Sequence, residues 1–275
     1  MKEEIVLKKL MDMVIKDTFE AKSAYLGYKI VIVPKELKSK QGHYIANDRK
    51  IELFNLAREP GCTMMTCLHE ITHHIEFMDL GTSAHKKSFY DRFHALLLTA
   101  LSLGLITPED IIKDGQDSND LKKLIEYYRP IDYWDYELTE QAKKRHVLVT
   151  NGYASKDLLK QRGYRYSSKS QAWGKEFPNE LYAYREQTLL KESIVDIEAY
   201  VVRHSTVLFS LNYYVAIPGA FEFRKILKEN GYRWNAYGIK SHWVKKVPTN
   251  LFYSEEAFLK DIRLLFKKVT LKSNS

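Results

Sequence analysis

The chain has 275 residues, 45% apolar and 28% charged, the balance of a folded globular protein of one large or two ordinary domains; a disordered, fibrous or disulfide-stapled chain is excluded. Two cysteines, Cys62 and Cys67, are too few for a bridge framework, so buried, inert, reduced thiols and a cytoplasmic location are expected. The net charge of +8 is uneven: residues 145–275 carry 22 Lys+Arg against 12 Asp+Glu, whereas residues 1–144 carry 21 against 23.

The first 22 residues place Ile5, Leu7, Leu10, Met13, Val14 and Phe19 at helical spacing, which predicts an amphipathic helix. Charges interrupt this run too often for a signal peptide. Tyr28–Pro34 and Lys50–Leu56 are short β-rich runs that predict two strands able to pair. A helix follows from about Pro60 to Asp79, with Pro in its first turn, and Gly81 breaks it. A second helix is expected from an N-cap at Ser83 to about Ser102. Its apolar run, Ala95–Leu105, is the longest in the chain and falls short of the ~18 residues of a membrane span, so no membrane association is expected. Thr107–Asp120 is acidic and turn-rich, the composition of a connector. Leu121–Arg145 is rich in Tyr and Trp and should dock on one of the two halves.

The predicted 60–79 helix contains Cys67-Leu68-His69-Glu70-Ile71-Thr72-His73-His74. Residues four apart lie one turn above each other, so the His69 and His73 imidazoles can converge on one Zn²⁺ ion. Zinc acidifies water toward a pKa of ~7, and Glu70, about a quarter-turn away, is placed to take that proton as general base. Met64, Leu68, Ile71, Ile75 and Met78 form an apolar stripe that would bury this helix. A catalytic zinc site needs a third protein ligand. His85 is the choice, at the head of an inward stripe that continues through Phe89, Phe93, Leu96 and Ala100. Glu137 and Glu140 are the acidic alternatives; His94 is on another face, and His74 points away toward a supporting or surface role. Tyr90 and His74 are candidate oxyanion donors.

This pattern resembles the SprT-like (Spartan-type) zincin metallopeptidases. The similar features run from Tyr28 to Leu97, roughly a third of the chain: a strand, a glycine-containing hairpin from Gly42 to Leu53, the His-Glu-x-x-His helix, and His85-x-x-x-Phe89 opening another helix. The resemblance implies zinc on His69, His73 and His85, with Glu70 as general base, and protein substrates bound or crosslinked to DNA. Lys86 stands where the family usually has Gly.

The C-terminal half contains an internal repeat. Lys156–Leu181 and Arg224–Leu251 both carry Leu-Lys, Gly-Tyr-Arg-aromatic, a Trp, a Lys two residues on, then Pro and Leu at matching spacings. Each copy predicts a strand, a helix and a two-stranded hairpin, with a helix at 186–209 joining them. The repeat is loosely similar to the HARP-type module of annealing helicases. Arg165, Lys169 and Lys175 in one copy, and Arg233, Lys240, Lys245 and Lys246 in the other, are interleaved with aromatics. Cations neutralise phosphates while aromatic faces stack on unpaired bases, so DNA or RNA is the expected partner of this half. Trp173 and Trp243 themselves are expected to build the core of the unit.

The expected architecture is therefore α+β: a zincin-like metallopeptidase domain at 1–106, an acidic then aromatic connector at 107–145, and a basic domain at 146–275 built from repeats at about 146–185 and 213–262. The expected function is that of a zinc-dependent endopeptidase with one ion, localised on nucleic acid. The alternatives are a nucleic-acid-binding accessory protein with a structural or silent zinc site, and a regulatory peptidase that cleaves one repressor.

Overall fold

A computed structural model describes residues 3–20, 22–33, 37, 40–115, 119–150, 152–167, 172–195, 197–209 and 212–269. Among the described residues the chain is mixed α+β with three small sheets. In order, it forms α1 (Glu3–Thr18), β1 (Lys29–Ile32), β2 (Gly42–Ile45), β3 (Lys50–Leu53), α2 (Pro60–Leu80), α3 (Lys87–Ser102), α4 (Pro108–Gly115), α5 (Asn119–Tyr128) and α6 (Glu140–Lys143). Then follow β4 (Arg145–Thr150), α7 (Lys156–Gln161), β5 (Arg165–Ser167), β6 (Ala172–Phe177), α8 (Glu180–Ser193), β7 (Glu198–Arg203) and α9 (His204–Leu208). Last come β8 (Asn212–Pro218), α10 (Arg224–Glu229), β9 (Arg233–Trp234), β10 (His242–Pro248), α11 (Phe252–Asp261) and β11 (Lys267–Val269).

Contacts divide the chain into two compact units: residues 1–11, 22–83 and 210–275 form one, and 12–21 with 84–209 the other. Helix α1 forms as its spacing predicts, but Ile5 and Met13 are exposed; the buried face is Leu7, Leu10, Met11, Val14 and Ile15, shifted about one residue round the cylinder.

In the first unit β1 and β3 pair in parallel, and β2 adds to β3 as an antiparallel edge strand, making the expected Gly42–Leu53 hairpin. Helix α2 packs on β2 and β3. Pro60 occupies its first turn, and Gly81 ends it in the left-handed conformation (φ 66°) that a glycine adopts without a Cβ penalty. Met64, Leu68, Ile71 and Ile75 of the stripe are buried.

In the second unit α3 begins at Lys87, not at Ser83, because the Ser83 hydroxyl is engaged elsewhere. Phe89, Phe93, Leu96 and Ala100 are buried on α3 as expected. The acidic 107–115 run is helical rather than a loop. Thr107 Oγ1 accepts from the Asp110 amide (3.3 Å) and Asp110 Oδ2 accepts from the Thr107 amide (2.9 Å), a reciprocal capping box with Pro at the first helical position. The aromatic segment docks on α3. Tyr128 stacks on His94 at 3.9 Å, Trp134 meets the same ring edge-on, and the Tyr90 hydroxyl donates to Asp120 (2.8 Å).

The two sequence repeats are two structural repeats, and they are longer than their motif. The first orders its sheet β5-β6-β4-β7 and the second β9-β10-β8-β11. Each runs strand, helix, hairpin, helix, strand. The segment expected to be a joining helix at 186–209 is instead the end of α8, the fourth strand β7 and the short α9. The shared glycines, Gly163 (φ 85°) and Gly231 (φ 83°), close Schellman turns. The amides of Tyr164 and Tyr232 reach back to the carbonyls of Leu159 and Leu227, both at 2.9 Å. The aromatic after the arginine pairs across the hairpin with the tryptophan. Tyr166 to Trp173 and Trp234 to Trp243 have the same geometry, 5.5 Å between centroids at 62°.

Candidate metal centre

Helix α2 carries the His-Glu-x-x-His sequence as one unbroken helix, so His69 and His73 stand on successive turns of one face. Their Nε2 atoms are 3.2 Å apart. A tetrahedral ion with nitrogen bonds of about 2.0–2.1 Å sets neighbouring ligand atoms about 3.3–3.4 Å apart, so this pair already has the separation of two zinc ligands. His69 and His73 belong to the first unit and His85 to the second. His85 precedes α3 instead of lying in its first turn, and its exposed ring packs edge-on against buried Phe89 at 4.7 Å.

Hydrogen bonding fixes the tautomer of His73. The Ser83 hydroxyl donates to Glu76 Oε2 at 2.7 Å, and with its proton so used it must accept from the His73 Nδ1–H, also at 2.7 Å. In the neutral ring the proton is thus on Nδ1, and Nε2 faces His69 Nε2 at 3.2 Å. Glu76 is 2% exposed, so α2 supplies both the His73 ring and the carboxylate that orients it through Ser83. From the sequence Ser83 was read as a helix cap and Glu76 was not singled out; the signal was a carboxylate seven residues after the first histidine and a serine ten after the second.

Glu70 is 7% exposed, on the side of α2 covered by β2. Gly42 makes this possible. A Cβ at position 42 would stand 2.8 Å from Glu70 Cγ and Oε1, and 2.7 Å from Thr66 Cγ2. The strand therefore approaches the helix more closely than any side chain permits.

His74 is fully buried, so a surface role is ruled out. Its Nε2–H donates to the Ala24 carbonyl (3.2 Å) and its Nδ1 accepts from the Tyr44 hydroxyl (2.9 Å), tying the helix to β2 and the Ser23–Leu26 turn. Burial lowers its pKa to about 4, which keeps the ring neutral. Cys62 and Cys67 are buried and unbridged, and burial pushes the Cys67 thiol well up, as expected of an inert residue. Tyr90 is 1% exposed and committed to Asp120. Glu137 and Glu140 are exposed, and Glu140 binds Lys143.

The basic residues of the repeats divide. Lys245 binds Glu255, which is 8% exposed and also accepts from the Tyr232 hydroxyl at 2.7 Å; burial and this carboxylate raise the Tyr232 pKa. Lys175, at the equivalent place, donates to the Arg162 carbonyl at 2.8 Å. These two lysines build the repeat. Arg165, Arg233 and Lys240 are exposed, Lys246 is half-buried, and Lys169 lies outside the described residues. The second repeat also opens a cleft of about 500 Å³ lined by Phe221, Arg224, Lys228, Arg233, Trp234 and Trp243. Trp243 is 4% exposed, the core position expected, and its indole N–H has no partner; Trp173 is half-buried.

No protein-family model, curated protein or solved structure matches the chain.

Among the described residues, no helix is long and apolar enough to cross a membrane.

Proposed function

We propose that the protein is a zincin-type, zinc-dependent endopeptidase held on DNA or RNA by its basic repeats. The observation that carries this reading is the His69–His73 pair at 3.2 Å with Glu70 between them on the same helix. Two imidazoles beside a carboxylate suit a borderline divalent ion such as zinc. His69, His73 and His85 would hold it. When bound, zinc supplies Lewis-acid polarisation of a scissile carbonyl and acidification of water.

The chain's own residues supply the proton transfers. Glu70 accepts a proton from the attacking water as its oxygen bonds to the carbonyl carbon. It then returns that proton to the amide nitrogen as the carbon–nitrogen bond breaks, which leaves it ionised for the next turnover. Ser83 and Glu76 hold the His73 ring in one tautomer throughout. In the second repeat, the cleft presents aromatic faces beside Arg224, Lys228 and Arg233, the combination that binds an unpaired base and its phosphate.

The test is cleavage of a DNA-binding protein by the zinc-loaded full chain, with and without single-stranded DNA, beside Glu70→Gln. Wild type should cleave, and the variant should lose about 10²–10⁴-fold in rate while retaining zinc. A wild type that holds zinc and DNA yet leaves every protein intact would favour an accessory nucleic-acid-binding protein.

A further inference from the structure

The first repeat contains a second group of metal-ligating side chains with no part in the chemistry above: His146, Glu176 and His204. Their sequence positions are scattered, but the fold brings them together. His146 on β4 and Glu176 on β6 are direct cross-strand partners, and His204 follows at the end of β7, the other neighbour of β4. The separations are 2.9 Å from His146 Nε2 to His204 Nδ1, 3.5 Å from His146 Nε2 to Glu176 Oε2, and 3.4 Å from His204 Nδ1 to the same oxygen.

We propose that this triangle binds a second divalent transition-metal ion of the zinc class. All three edges lie within a few tenths of an ångström of the about 3.3–3.4 Å that a tetrahedral ion imposes on its ligand atoms. Two imidazoles and one carboxylate oxygen select zinc, cobalt or nickel over magnesium and calcium, which require oxygen-rich shells.

The surroundings agree. Lys144 takes Glu176 Oε1 at 2.8 Å and leaves Oε2 facing the rings; its ammonium opposes the ion's charge, while the carboxylate stands between them. Gln141 lies 2.8 Å from His204 Nε2. As oriented, its amide N–H donates to that nitrogen, which puts the His204 proton on Nδ1 and directs it at His146 Nε2. A half-turn of the amide presents oxygen instead, receives an Nε2–H and frees the Nδ1 lone pair for a metal. The ion would then clamp the β7–α9 junction to the middle of the sheet.

This inference does not rest on the peptidase reading, and its test keeps the two apart. The full chain carrying His69→Ala and His73→Ala is titrated with Zn²⁺ against a chromophoric chelator. One ion per chain should remain, and adding Glu176→Gln or His204→Ala should weaken it at least about tenfold. Glu176→Gln keeps the shape and a polar contact, so it decides the matter if His204→Ala does not fold. Cobalt in the same chain should give the intense visible bands of a tetrahedral site, lost in Glu176→Gln. A double-histidine variant that holds no zinc, or binding that neither additional substitution changes, would overturn the proposal.

Discussion

The imidazole of His73 and the hydroxyl of Ser83 meet at 2.7 Å, and the Ser83 hydroxyl donates its hydrogen bond to Glu76. The serine therefore selects which ring nitrogen of His73 carries the proton. Ser83→Ala removes that selection without touching a ligand, so zinc affinity should fall about 10–100-fold, as for other partners of metal-bound histidines. Competition with a chelator of known affinity measures it. An unchanged constant would show that the ring needs no such support.

Gly42 determines how closely β2 approaches Glu70. A methyl group there overlaps the carboxylate at 2.8 Å and Thr66 at 2.7 Å, and one of them must shift. Gly42→Ala should keep its zinc, lose about 1–3 kcal/mol of stability through overpacking, and cleave more slowly because the general base is displaced. Denaturation midpoints, zinc content and turnover number, measured together, check the three parts.

Lys245 and Lys240 look alike in sequence and should behave oppositely. Lys245→Ala strands the Glu255 carboxylate, which is 8% exposed, and should cost about 1–3 kcal/mol, less than for a fully buried pair because the ammonium is part-exposed. Lys240→Ala should leave the denaturation midpoint in place and reduce the salt dependence of DNA binding. Urea unfolding and binding isotherms at several salt concentrations separate the two.

Trp234 and Arg233 face the same cleft. Trp234→Ala should weaken single-stranded DNA binding by about 1–3 kcal/mol with little change in salt slope, the mark of a lost stacking contact. Arg233→Ala should lower the slope by about one unit, the mark of a lost phosphate. Fluorescence anisotropy with a short labelled oligonucleotide reads both.

The His-Glu-x-x-His helix was legible because its signal is local: His69 and His73 need only helical periodicity to share a face. The repeat was legible for a similar reason, since Gly163 and Gly231 mark identical turns and each tryptophan has a fixed cross-strand partner. Ser83 was misread as a cap because a serine before an apolar run suits that role, and only the tertiary structure shows its hydroxyl claimed by His73 and Glu76. The polar run at 107–115 was read by composition, which concealed the Thr107–Asp110 capping box. The cluster of His146, Glu176 and His204 left no spacing to find, because strand pairing alone assembles it.

The most direct test of the account is the zinc content of the full chain in a His204→Ala background, which isolates the α2 site, with and without His69→Ala and His73→Ala. The account predicts one ion per chain with both imidazoles present and none without them. Equal zinc in the two proteins would contradict it.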